Sequence, residues 1–327
     1  MMKKNQLHER KRRMDLRYIC GMTFAPFAKE GSFMQERAKK SLALMKERTG
    51  ANYVVLAPNA LQDTPQSEKI SYTSKATLDD DELKQMIEYA HGLGLGVILK
   101  PAVNCKNGTW RAFINFFDND IPCEPKWGNW FASYAEFQRH YAAISQQMGC
   151  EIYIAGCEMV MSEHREAEWR QVIADVRSEY HGLVSYNADK YQEENVKWWD
   201  CVDIISTSGY YPLLEIDNQL NRIEKLVKQY NKPFLFAEGG CMSVKDANEL
   251  PNSWWLEGEV DLQGQAAWYD GMLTASSRRD WVSGWTFWSW TDKLYPVSRA
   301  ESRKDYELYG KPAERVVHKH YTDLLHQ

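Results

Sequence analysis

The chain has 327 residues, a formal net charge of −5 and a heavy aromatic load of 13 Trp and 18 Tyr. Its acidic balance and pI near 6.0 argue against nucleic acid or an anionic membrane as the main partner. Seven cysteines, with no CxxC and no paired spacing, read as free thiols of a reducing compartment rather than a disulfide framework.

The chain opens on a basic stretch, "MMKKNQLHERKRR", read as a solvated tail over residues 1–15. The first apolar segment after it contains Arg17 and lacks a signal-peptide core. No run of about eighteen apolar residues follows anywhere. The expectation is a soluble, cytoplasmic protein. From there, short apolar runs alternate with amphipathic segments. The runs are "YICGMTF", "NYVVLAP", "GVILKP", "IYIAGCE", "LVSYN", "DIISTSGYY", "PFLFAE" and "VSGWTFWSW". They are β-branched and aromatic, and several lack clean alternation, as strands covered on both faces do. Between them, Leu83, Met86, Ile87 and Ala90 form one helical stripe, opened by "TLDDDE" and closed by Gly92. Trp169, Val172, Ile173 and Val176 form a second, and Leu220, Ile223, Val227 and Tyr230 a third. The segment after Trp199 leaves little room for a long fifth helix, and "KPAERVVHKHYTDLL" supplies the eighth.

Eight strands alternating with helices predict an α/β fold, a (β/α)8 TIM barrel, as a single domain over residues 16–327. The rival is an open doubly wound sheet. That fold carries a Gly-rich phosphate loop after an early strand, and neither GxGxxG nor GxxxxGK[ST] follows any strand here. His164, His181 and the other histidines form no HExxH-type pattern, so neither a metal nor a cofactor is expected.

Active sites of such barrels lie at the C-terminal ends of the strands. Those ends carry Asn59, Lys100, Glu158, Asn187, Tyr210, Glu238 and the pair Trp288 and Trp290. Glu158 closes the fourth apolar run and Glu238 the seventh, where a buried strand ends on a group that is costly to bury. Two carboxylates facing each other across an aromatic-lined pocket are what glycoside hydrolysis requires, one as acid and base, the other as nucleophile. For either glutamate alone, a barrel-end ion pair, for instance with Lys100, is the plainer reading. Lys100 itself has two: bonding sugar hydroxyls or tuning Glu158, and a structural ion pair. Trp110 and Trp130 fall in the long insert before the fourth strand, walling a cleft or packing at the surface. Trp288 and Trp290 stand two apart, so on a regular strand both face the lumen or both face the helices. Tyr210 and Tyr211 are adjacent, so only one enters the pocket. Asp200 and Asp203 read as solvated or capping residues.

Taken with these strand ends, "GANYVVLAP", "GLGLGVILKPAV" with "WRAFI", "IYIAGCE", "SYNADKY", "DIISTSGYYPL", "PFLFAEGG" and "GWTFWSW" resemble glycoside hydrolase family 113, the β-mannanases. The resemblance runs from "GMTFAPFA" to "YGKPAE". It implies a retaining glycosidase of the large (β/α)8 clan, needing no cofactor or metal. It matches Glu158 to the acid/base, Glu238 to the nucleophile and Tyr210 to the strand-six tyrosine that bonds the nucleophile. Trp288 or Trp290 matches the aromatic floor under the sugar. One departure stands out. Many clan members place Asn before the acid/base to bond the sugar 2-hydroxyl, and here Cys157 takes that place, a weak donor; Asn187 is one replacement. The expected substrate is a chain of β-1,4-linked mannose units in manno-oligosaccharides or mannan, cleaved internally or from an end, and a cytoplasmic location points to the short oligosaccharides. Glucose, xylose or an amino sugar under the same mechanism is the alternative, and a non-catalytic carbohydrate-binding barrel a further one. Oligomeric state is not encoded in any feature of the sequence.

Overall fold

In the computed structural model, which describes residues 18–326, eight strands form a closed, all-parallel barrel. They are β1 (Ile19–Phe24), β2 (Tyr53–Leu56), β3 (Gly96–Leu99), β4 (Ile152–Cys157), β5 (Leu183–Ala188), β6 (Ile204–Ser208), β7 (Phe234–Glu238) and β8 (Val282–Trp290). Each pairs with its sequence neighbours, and β8 returns to β1. Each apolar run in the sequence supplies one strand. The basic tail over residues 1–15 lies outside the described residues.

Seven α-helices surround the barrel among the described residues: α1 (Glu36–Thr49), α2 (Asp80–Gly92), α3 (Trp127–Met148), α4 (Glu166–Glu179), α5 (Ile216–Tyr230), α6 (Leu262–Ser276) and α7 (Pro312–Leu325). The stripes read from the sequence are their buried faces. Leu83, Met86, Ile87 and Ala90 of α2 are fully covered, and Asp79 caps that helix by accepting from the backbone of Asp81 and Glu82. The fifth helix is missing. Between β5 and β6 there is only a short 3-10 turn, Trp199–Cys201. Two buried indoles fill the space, Trp198 stacking on Trp169 of α4 at 5.1 Å.

Inside the barrel, Ile19, Val55, Ile98, Ile152, Ile154, Ile204, Leu235 and Ala237 form a separate apolar cluster. Branched side chains from six strands pack the lower lumen, as the fold requires. Above them the lining turns polar. Ser185 and Ser206 share a bond of 2.6 Å, and Asn187 and Ser208 one of 2.9 Å. These side chains pair with one another, as buried polar groups generally must, although Asn187 Oδ1 is left without a partner.

At the top of the barrel the strands lose regular alternation. The ladder register shifts in β4 between Ile154 and Cys157, in β7 before Glu238 and in β8 between Trp288 and Trp290. Such bulges insert an unpaired residue and re-aim the side chains beyond it. β2 and β3 are instead interrupted by Pro58 and Pro101, which cannot donate to a ladder. They resume as a short parallel pair, 59–62 against 102–105.

Candidate active site

Glu238 is the last residue of β7. Leu235 and Ala237 face the lumen, so strict alternation would point Glu238 outward. The bulge turns it in. Its Oε2 accepts from Lys100 Nζ at 2.7 Å and its Oε1 from the Tyr210 hydroxyl at 2.8 Å. The two glycines after it are a packing requirement. A Cβ on Gly240 would lie 2.5 Å from the Trp288 carbonyl oxygen, and one on Gly239 2.8 Å from the Trp285 ring. Burial pushes the Glu238 carboxyl up, but the Lys100 ammonium, its hydrogen bond and the Arg111 charge outweigh burial and hold it below its ordinary value. Burial likewise opposes the Lys100 charge, and Glu238 overrides it, so the lysine stays an ammonium.

Glu158 follows β4 with a left-handed backbone, φ 54°, a conformation that costs a non-glycine residue energy and persists only when the surroundings fix it. They do. Its N–H donates to the Asn187 carbonyl at 2.8 Å, and the next N–H, of Met159, donates to the Tyr186 hydroxyl at 3.1 Å. Three donors meet its carboxylate: Ser208 Oγ on Oε1 at 2.7 Å, and Arg111 Nη1 at 3.0 Å with Trp110 Nε1 at 3.2 Å on Oε2. Cys157 also faces the pocket, its Sγ 3.8 Å from Glu238 Oε2 and 3.9 Å from Arg111 Nη1. Burial keeps it a thiol.

Behind Glu158 lie further buried carboxyl groups. Burial, and then Glu158 itself, push Asp189 up to about 7. Glu163 accepts from the Tyr186 hydroxyl at 2.7 Å, and burial pushes it up to about 8 despite that bond.

The residues singled out in the sequence divide into three groups. Glu158, Glu238, Lys100, Trp110, Tyr210 and Trp288 meet at the mouth. Lys100 pairs with Glu238 rather than Glu158. Trp288 clusters with Tyr210 and Tyr306, flanked by the rings of Phe27 and Trp254, each at 5.7 Å. Two residues act at one remove. Asn187 is fully buried and donates to Ser208, which bonds Glu158, so it supports a carboxylate rather than meeting a sugar. Asn59 donates to the Pro26 carbonyl and accepts from Asn104, which in turn accepts from Arg111. Two residues lie elsewhere. Trp290 is fully buried and donates to Ser41 of α1 at 3.1 Å. The register shift at Ser289 makes positions 288 and 290 face opposite ways, so the rule that residues two apart share a face fails there. Trp130 belongs to the core of α3 and donates to Gln62 at 2.9 Å. Tyr211 turns away from the pocket toward Glu193. Asp200 and Asp203 pair with Arg170 and Arg177.

Arg111, Ser208, Asp189 and Tyr306 were not anticipated. Ser208 ends β6 two residues before Tyr210, where the strand pattern stops. Arg111 sits beside Trp110 in the long insert, where no periodicity assigns a direction.

A carboxylate oxygen of Glu158, one of Glu238 and Cys157 Sγ lie within 4.8 Å of one another. A metal ion at these atoms would compete with Lys100, paired with Glu238, and with Arg111, paired with Glu158. Two close carboxylates, each with its own cation, suit a reaction that forms and discharges a covalent intermediate.

Comparison with known proteins places this geometry. The family model described as Glycoside Hydrolase Family 113 matches residues 22–311. A GH113 beta-1,4-mannanase solved as a complex is 52% identical, covers 94% of this chain and 99% of its own, and superposes with TM-score 0.92. The GH113 beta-mannanase AaManA from Alicyclobacillus acidocaldarius, in complex with ManMIm, is 39% identical, with 95% and 99% covered and TM-score 0.92. A beta-D-glucuronidase for Dictyoglomus thermophilum, 15% identical over 94% of this chain and 50% of its own with TM-score 0.64, shares the fold alone. No curated protein matches the chain.

Proposed function

Since the chain belongs to Glycoside Hydrolase Family 113, we propose that it hydrolyses β-1,4-linked mannose units with retention of configuration, using Glu238 as nucleophile and Glu158 as acid/base. The observation that carries this reading is the closeness of the carboxylates, whose nearest oxygens lie within 4.8 Å. Retaining enzymes hold their carboxyl groups about 5–5.5 Å apart, whereas inverting ones leave roughly 6.5–9.5 Å for a water. The solved relatives are mannanases by name, which supports mannose as the sugar.

The chemistry follows from the contacts. Ionised by Lys100 and Tyr210, Glu238 attacks the anomeric carbon while Glu158 gives its proton to the departing oxygen. The products of this step are a glycosyl ester on Glu238 and a carboxylate on Glu158. The negative charge has crossed from the partner of Lys100 to the partner of Arg111, and total charge is unchanged. Preorganised cations at both ends avoid solvent reorganisation during that transfer. Glu158 then deprotonates a water that opens the ester. The Trp288 ring offers the flat apolar face on which a pyranose C–H surface packs.

The deciding experiment is product analysis on mannotriose, cellotriose and xylotriose, with NMR of the first-formed anomer. Release of β-anomer from mannotriose alone supports the reading. Cleavage of another trisaccharide keeps the two glutamates and replaces mannose, and an α-anomer first removes retention. A cytoplasmic site of action is proposed on the seven unpaired cysteines. No helix among the described residues is long and apolar enough to cross a membrane. A cytoplasmic location favours short oligosaccharides as substrates, and cell fractionation tests it.

A further inference from the structure

Glu163 is a buried acid that the reaction described above does not use. It follows a 3-10 turn, Val160–Ser162, in the loop between β4 and α4. Its Oε1 accepts from the Tyr186 hydroxyl at 2.7 Å, and its Oε2 has no hydrogen-bond partner among the described residues. Asp189, Glu193 and Glu158 all push its carboxyl up. A carboxyl set in the interior among like charges costs stability. What its side chain makes in return is the bond to Tyr186.

The Tyr186 hydroxyl has a second contact. It accepts from the backbone N–H of Met159, the residue directly after Glu158, at 3.1 Å. A phenol has one proton to give and lone pairs to receive with. With the proton committed to Glu163, the lone pairs are left for Met159, and one hydroxyl ties both ends of the segment 159–163. The segment is closed by further bonds. Ser162 donates to the Met159 carbonyl from its N–H at 2.9 Å and from its Oγ at 2.8 Å. The indoles of Trp169 and Trp198 donate to the carbonyls of Ser162 and Glu163 at 3.0 and 3.1 Å. This clamp adjoins the left-handed backbone of Glu158, φ 54°, which a non-glycine residue keeps only under outside constraint. Arg111 meets the Glu158 carboxyl from the long insert, and its pull is strongest when that carboxyl is ionised. Once Glu158 is protonated, its aim depends on the backbone beneath it.

We propose that Glu163 is a positioning residue for the acid/base: by accepting the Tyr186 proton it directs that hydroxyl onto the Met159 N–H, and so fixes the backbone from which Glu158 delivers its proton. This inference rests on the assignment of Glu158 made above. Glu163 acts through Tyr186, so its loss should slow the step that needs a proton and spare the attack by Glu238.

The test compares kcat/KM on mannotriose, whose departing sugar needs a proton, with kcat/KM on a dinitrophenyl β-mannoside, whose leaving group needs none. The variants are Glu163→Leu, Glu163→Gln and Tyr186→Phe. In Glu163→Leu and Tyr186→Phe the mannotriose value should fall roughly 10- to 100-fold, as for a displaced catalytic group, with the dinitrophenyl value within about twofold of wild type. Glu163→Gln keeps the acceptor and should recover mannotriose cleavage. An equal fall on both substrates, or Glu163→Gln as slow as Glu163→Leu, makes Glu163 a support of the fold alone and overturns the role. An unchanged mannotriose value overturns it too. If Glu163→Leu does not fold, the ratio of the two substrates in Tyr186→Phe, which loses one oxygen atom, decides between the same outcomes. Wild type that cleaves neither mannoside overturns the mannosidic reading and this role with it.

Discussion

The barrel ends at β4 and at β7 each present one glutamate with its own cation, Arg111 and Lys100, yet the groups beyond those cations differ. Around Glu238 stand cations and a phenol, which hold the carboxyl low against its burial. Around Glu158 the nearest donors are matched by buried acids one layer back, with Asp189 pushed up to about 7 and Glu163 to about 8. Lys100 and Tyr210 meet Glu238, whereas Arg111 meets Glu158 with Asp189 and Glu163 as acidic neighbours behind it.

Removing each glutamate tests the difference at its largest. Glu238→Ala should lower kcat by about 10⁴-fold or more, and azide should rescue it as an α-glycosyl azide, through direct displacement on the open face. Glu158→Ala should lose about 10²–10⁴-fold on natural glycosides and far less on a dinitrophenyl glycoside, whose leaving group needs no proton. Azide should then give the β-glycosyl azide. Exchanged stereochemistry between the two variants would falsify the role assignment.

A sharper probe is Lys100→Met. With the ammonium gone, burial is the largest influence left on Glu238 and its pKa rises. The acid limb of kcat/KM, which reports ionised nucleophile in the free enzyme, should therefore move to higher pH. A limb that stays in place would mean that Tyr210 and Arg111 suffice. Stability should also drop, by about 3–5 kcal/mol for a buried charge left unpaired, measured by urea unfolding.

Glu163→Gln gives the smallest effect and concerns the other end. Its ordinary value is 4.5 and the folded value about 8, so the unfolded chain releases this proton first. Wild-type stability is whole below about pH 4.5 and falls until about pH 8. Glutamine keeps the acceptor for Tyr186 without that loss. The Tm advantage of Glu163→Gln should grow across this window, and a constant difference with pH would remove Glu163 as a proton-holding neighbour of Glu158.

Much of this was legible in the chain. Periodicity and length placed the eight strands, and the scarcity of residues around Trp199 pointed to the missing helix. The glutamates were visible because each ends a run of buried residues, which an unpaired carboxylate does not do without reason. The errors share a cause. Trp290 was paired with Trp288 by alternation, and a one-residue bulge separates them. For Lys100 the sequence left sugar hydroxyls, Glu158 and a barrel-end ion pair open, and the closure of the barrel chose the ion pair with Glu238. Asn187 was offered to the sugar, and the turn of the lumen gave it to Ser208.

Local sequence by itself determined the architecture and the identity of the two carboxylates, because strand, helix and turn preferences are short-range and repeat along the chain. Tertiary structure decided which donor meets which oxygen. The contacts of Arg111, Lys100 and Ser208 with the glutamates span 47 to 138 residues of chain, and the bulges that aim the side chains arise from the register between neighbouring strands. Neither is encoded at any single position, so the set of partners around each glutamate exists only once the barrel has closed.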